Sequence, residues 1–229
     1  QDGSRSDYLR DVTVKEHTHD FSTNNTCACG ATLPHEHCIC GGDIQDGGHS
    51  AHKDVSFTAW TETDSLPENG NYYLTDNVTL TEPATVDAAL NLCLNGHTIT
   101  INISSNTIYA LAATTTGSLT ITDCQENQGS ITGARDRSAV RVNENGTFTL
   151  YGGKITRNRV EASGANGGYC GGGVYCDGTF VMHGGEISEN TVHSEGTGNS
   201  DQARGGGVYL DKNAKFTMYG GKITKNIAS

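Results

Sequence analysis

Proline is nearly absent from this chain, at 3 of 229 residues, and cations are scarce, with 15 Lys and Arg against 26 Asp and Glu. Thirty glycines with so little proline exclude a collagen-like repeat, and a charged fraction of 18% excludes a highly charged disordered chain. A formal net charge of −11 repels phosphate backbones and anionic surfaces, so no nucleic-acid partner is expected. The apolar runs are only a few residues long, far below the roughly 20 that a membrane-spanning helix needs, and no membrane insertion is expected. The chain opens on Gln1 and stops inside a repeating pattern, which reads as a piece excised from a longer protein after any leader was removed.

What the chain has instead is Gly, Thr and Asn in short alternating runs. Laid against itself, the C-terminal half gives three copies of one unit. Each carries a Val-x-Val-like pair (Val140 and Val142, Val174 and Cys176, Val208 and Leu210). Each then carries an aromatic-anchored run ending in Gly-Gly-x-Ile-x-x-Asn, at residues 146–158, 178–190 and 214–226. Phe148, Phe180 and Phe216 fall 32 and 36 residues apart, a period that signals stacked supersecondary units, and fainter copies cover 71–101 and 107–133.

Period-2 alternation inside each run is the pattern of a strand with one buried face, while Gly pairs interrupt any helical stripe. Three strands per unit make one coil. Val174, Cys176, Phe180, Met182 and Ile187 are expected to point inward. They should stack between Val140, Val142, Phe148, Leu150 and Ile155 on one side and Val208, Leu210, Phe216, Met218 and Ile223 on the other. The fold class is therefore all-β, a right-handed parallel β-helix solenoid of about five coils over residues 53–229. Residues 50–75, with Trp60, should close its N-terminal end, and a small Cys/His-rich cap should occupy residues 1–52.

The run GTFTLYGGKITRN at 146–158, with GGGVYC at 171–176 and GGGVYL at 205–210, resembles the repeats of pectate-lyase-like β-helix surface proteins of Gram-positive gut bacteria. The resemblance covers about residues 55–229. It implies a secreted or cell wall-associated protein, and it spans adhesins, surface proteins and carbohydrate-active enzymes.

Residues 17–52 concentrate soft ligands: Cys27, Cys29, Cys38 and Cys40 with His17, His19, His35, His37, His49 and His52. Thiolates and imidazoles are the ligands zinc favours, and a structural zinc could organise a segment too short to bury its own core. Disulfides, such as Cys27 with Cys38 and Cys29 with Cys40, are the alternative reading. A catalytic zinc is disfavoured because no HExxH-like spacing supplies a general base. Cys93 and Cys124 lie 31 residues apart, about one coil, so they either meet as a disulfide across adjacent coils or remain buried thiols.

On the coil surface the chemistry is sparse. Asp177 and Asp211 stack over Asn143 as turn residues, Asn158, Asn190 and Asn226 form an amide column, and Lys154, Glu186 and Lys222 alternate in sign. Two outward columns suit ligand binding: Tyr151, His183 and Tyr219 on one face, Arg141, Tyr175 and Tyr209 on another. Exposed aromatics can stack on sugar rings or anchor a protein. The Gly-rich runs lack the Lys-Ser/Thr of a phosphate loop.

The leading functional expectation is a non-catalytic adhesin or stalk binding host glycan or protein. A polysaccharide lyase or glycoside hydrolase is the second, and a self-assembling fibre repeat with end-to-end association is the third.

Overall fold

The computed structural model describes residues 57–104, 109–162, 170–194 and 203–229. Every strand pairing among them is parallel, and the strands assemble into four sheets that the chain visits in rotation. Sheet 1 stacks β1 (Thr58–Trp60), β2 (Gly70–Leu74), β5 (Ala89–Cys93), β8 (Ser118–Thr122), β11 (Thr147–Leu150), β15 (Thr179–Met182) and β19 (Lys215–Met218). Sheet 2 stacks β3 (Val78–Leu80), β6 (Thr98–Ile101), β9 (Ser130–Thr132), β12 (Lys154–Thr156), β16 (Glu186–Ser188) and β20 (Lys222–Thr224). Sheet 3 holds β13 (Arg159–Ala162), β17 (Thr191–Ser194) and β21 (Ile227–Ala228). Sheet 4 holds β4 (Ala84–Val86), β7 (Tyr109–Ala113), β10 (Ser138–Val142), β14 (Val174–Cys176) and β18 (Val208–Leu210).

This is a parallel β-helix. The expected inward columns are in register: Val140, Val174 and Val208; Val142, Cys176 and Leu210; Phe148, Phe180 and Phe216; Leu150, Met182 and Met218; Ile155, Ile187 and Ile223. Phe180 stacks between Phe148 and Phe216 with ring centroids 5.0 and 4.8 Å apart, about one inter-strand spacing. Cys176 is fully buried in its column and packs as a small hydrophobe. In the last coil Leu210, Met218 and Ile223, from the same columns, are exposed.

Two features depart from the sequence expectation. Sheet 2 counts six coils rather than about five, because the segment read as one faint copy at 71–101 begins with a coil of only 20 residues, from Asn71 to its partner Asn91. A fourth strand also joins the last three coils as sheet 3, where three strands per coil were expected. Its segments are short and lack a strong alternating pattern.

The corner between sheets 2 and 3 shows how the repeat sequence builds the coil. Arg157, Glu189 and Lys225 sit at φ of 57°, 57° and 56°, a left-handed turn that swings the following Asn inward. Asn158 Nδ2 donates to Asn190 Oδ1 at 2.9 Å, and Asn190 Nδ2 to Asn226 Oδ1 at 2.9 Å. The same amides donate to the carbonyls of Ile131, Ile155 and Ile187, and Asn158 and Asn226 also share the ladder with backbone N–H groups of Ala134 and Asn190. Asn158 and Asn190 are 1% and 0% exposed, so this network satisfies backbone groups that the turn would otherwise leave buried without partners.

At the N-terminal end, β1 adds to the edge of sheet 1, and Trp60 packs edge-on against Tyr72 with centroids 5.4 Å apart. Its Nε1 donates to the Ser65 carbonyl at 3.0 Å. Trp60 thus helps close the solenoid as expected, and residues 50–56 of the expected closure lie outside the described residues. Among the described residues, no helix is long and apolar enough to cross a membrane.

Candidate functional site

The first outward column stands at the corner where sheet 1 turns into sheet 2. Tyr151, His183 and Tyr219 follow β11, β15 and β19 directly, and each N–H donates to a carbonyl of the preceding coil, on Ile121, Leu150 and Met182, at 2.8 to 2.9 Å. The Gly pairs after them make the corner possible for two different reasons. A Cβ on Gly184 would lie 2.2 Å from the Tyr151 carbonyl oxygen, so the first glycine allows close coil contact. Gly185, at φ 74°, supplies the left-handed turn. Tyr151 and His183 stack with centroids 4.5 Å apart and planes 10° off parallel, and His183 and Tyr219 stack at 4.9 Å and 16°.

Rings stacked along the solenoid axis spend faces on each other: His183 has a ring on both faces, and Tyr151 and Tyr219 have one each. Tyr219, at the last level of this ladder, is 72% exposed.

The second column runs up the outer surface of sheet 4. The Arg141 guanidinium carbon sits 4.2 Å from the Tyr175 ring centroid, and Tyr175 meets Tyr209 at 5.2 Å with a 35° tilt. Arg141 Nε donates to Asn143 Oδ1 at 3.0 Å. Tyr175 donates its hydroxyl to Asp211 Oδ2 at 2.7 Å, while the other Asp211 oxygen accepts the Lys212 N–H at 2.7 Å. Burial, then the bond to Asp211, pushes the Tyr175 phenol well above its ordinary range. The Tyr175 hydroxyl in turn holds the Asp211 carboxyl below the usual carboxylate range. Asp211 therefore does more than shape its turn, a role its strand-end position did not signal.

The two columns lie on different faces, separated by the strands of sheet 1, so the six residues form two stripes and not one patch. The expected stacking of Lys154, Glu186 and Lys222 is in register, but the ion pair shown between coils lies at the neighbouring corner, Arg157 to Glu189 at 2.9 Å.

A third cluster was legible only as a cysteine spacing. Cys93 ends β5 and Cys124 follows β8, and their Sγ atoms are 3.6 Å apart as thiols, with Cys93 buried and Cys124 exposed. The hydrogen bond to Cys124, then burial, raises the Cys93 thiol well above its ordinary range. Between them Asp123 accepts the N–H groups of Gly96, Gln125 and Gly129 at 3.2, 2.9 and 2.6 Å and pins the turn; burial raises its carboxyl nonetheless.

The candidate metal ligands Cys27, Cys29, Cys38, Cys40, His17, His19, His35, His37, His49 and His52 all lie outside the described residues. Among the described residues, no three His, Cys, Asp or Glu side chains converge as a metal site. No protein-family model, curated protein or solved structure matches the chain.

Proposed function

We propose that this protein is a non-catalytic module of a secreted or cell wall-associated protein, an adhesin or stalk that presents a polar stripe to host glycan or protein. The observation that carries this reading is the use of the outward columns. Tyr151, His183 and Tyr219, like Arg141, Tyr175 and Tyr209, contact one another from coil to coil and make two regular outward edges. Hydroxyl and imidazole edges repeating at the coil spacing suit hydrogen bonding to an extended polymer.

The test is capture on arrays of host glycans and mucin-type glycoproteins. Wild-type protein should bind, and a variant with Tyr151, His183 and Tyr219 all changed to Ala should fold by circular dichroism yet lose capture. Unchanged capture by that variant defeats the proposal. Release of unsaturated or reducing sugar ends from any arrayed polysaccharide would favour the lyase or hydrolase reading instead.

End-to-end association is the second reading, suggested by the in-register parallel pairing of successive coils, which strands of a second copy could continue. Sedimentation that shifts with concentration would support it. The Cys27, Cys29, Cys38 and Cys40 cluster with its histidines is proposed to hold structural zinc. Native mass spectrometry of chelator-free protein distinguishes bound zinc from a mass about 2 Da lower per disulfide.

A further inference from the structure

We propose that Cys93 and Cys124 form an oxidative modification site, a dithiol that low-molecular-weight disulfides of the glutathione class convert into a covalent tie between neighbouring coils. The two residues differ in the way that such chemistry needs. Cys124 is exposed and can meet a disulfide from solution, whereas Cys93 is 0% exposed and can meet only Cys124. The hydrogen bonds are aimed accordingly. Cys93 donates its S–H to the Cys124 sulfur at 3.6 Å, Gln125 Nε2 donates to the same sulfur at 3.7 Å, and the Cys124 S–H is given to Asn95 Oδ1 at 3.6 Å, so the Cys124 sulfur is held against Cys93 at the surface. Gln125 is itself positioned by a 2.8 Å bond to Asn95 Oδ1.

The backbone around the pair is already held. Asp123 ties the turn that carries Cys124 to Gly96, three residues beyond Cys93, and Leu94 N–H donates to the Thr122 carbonyl at 2.9 Å. Closing the sulfurs from 3.6 Å to the roughly 2.05 Å of a disulfide therefore calls for side-chain rotation and little movement of the chain.

The steps balance as thiol–disulfide exchange. Cys124 loses its proton to solvent and its thiolate attacks one sulfur of the small disulfide, whose S–S bond breaks to expel one small thiolate, which takes up a proton, and to leave a mixed disulfide on Cys124. Cys93 then loses its proton to the second departing thiolate and attacks the Cys124 sulfur. Two protein thiols are oxidised by two electrons, and one small disulfide is reduced to two thiols. The link spans 31 positions in sequence and joins the coils of β5 and β8.

The 229-residue chain is incubated with glutathione disulfide, quenched with an alkylating agent in denaturant, digested and mapped by mass spectrometry. A peptide pair joined through Cys93 and Cys124 is expected, with the thermal midpoint of the oxidised protein raised by about 5–10 °C. Cys93→Ser should stop at a glutathionyl group on Cys124. Cys124→Ser should leave Cys93 at least about 100-fold slower to react while the protein is folded. The proposal is overturned if oxidised wild type links Cys124 to another cysteine or leaves both thiols alkylated. It is also overturned if Cys93 in the Cys124→Ser protein reacts as fast as Cys124 does in Cys93→Ser.

Discussion

The first coils and the last coils solve the same packing problem with different residues. From Asn71 to Asn91 the chain makes a turn in 20 residues, and the next two take 29 each. From Thr149 to Val181 and on to Thr217 the turns take 32 and 36 residues and include a strand of sheet 3. Leu90 and Leu119 fill the early part of the column that Phe148, Phe180 and Phe216 fill later. At the corner after sheet 2, the third coil has Gly133 and Ala134 where later coils have a left-handed polar residue and an inward Asn. Oδ1 of Asn158 reaches back to the Ala134 N–H at 3.0 Å, and the ladder ends there. Apolar alternation is enough for a short coil, whereas a ladder needs the same residue at each level, so the later coils read as a repeat and the earlier ones do not.

Substitutions can break or sharpen that contrast. The largest effect is expected for Phe180→Ala, which should cost about 3–5 kcal/mol in urea denaturation by leaving a cavity between two stacked rings. Phe180→Leu, which installs the residue type of the early coils, should cost about 1–2 kcal/mol. Asn190→Ala comes next, at about 2–4 kcal/mol, because it strands the Ile155 carbonyl and the Asn158 amide in a buried corner. The early counterpart, Asn91→Ala, removes one half-buried bond to Asn71 and should cost under about 1 kcal/mol. Equal costs for the two Asn variants would erase the distinction between the halves.

Tyr175→Phe should lose about 1 kcal/mol with the hydroxyl bond to Asp211. The smallest effect is on pH dependence, where the two regions should differ in sign. The carboxyl of Asp211 is lowered in the folded protein, so its contribution is present above the unfolded carboxylate value of about 3.9 and is lost as pH falls through the lower folded value. Asp123 is raised, so the folded state takes up its proton first and the contribution is fully present below about 3.9 and lost as pH rises through the raised value. Acid titration followed by residue-resolved NMR should show Asp123 titrating above the carboxylate range and Asp211 below it.

Much of this was readable from the sequence. The inward columns follow from period-2 alternation and the 32- and 36-residue offsets, and the amide ladder from Asn158, Asn190 and Asn226. The short first coil was missed because Gly70–Leu74 and Ala89–Cys93 share register but no motif. The strands of sheet 3 were missed because Arg159–Ala162 and Thr191–Ser194 carry one inward Val each, too little for a periodic signal. Sequence could place Tyr151, His183 and Tyr219 in one outward column, but which way a ring turns its face depends on the spacing of the coils and not on the alternation.

The most direct test of the central claim, that the outward columns tie coil to coil, is a double-mutant cycle between Tyr151→Ala and His183→Ala in denaturant unfolding. A coupling of about 0.5–1.5 kcal/mol is expected for stacked rings. Additivity within about 0.3–0.5 kcal/mol would contradict the claim and return the rings to solvent as independent side chains.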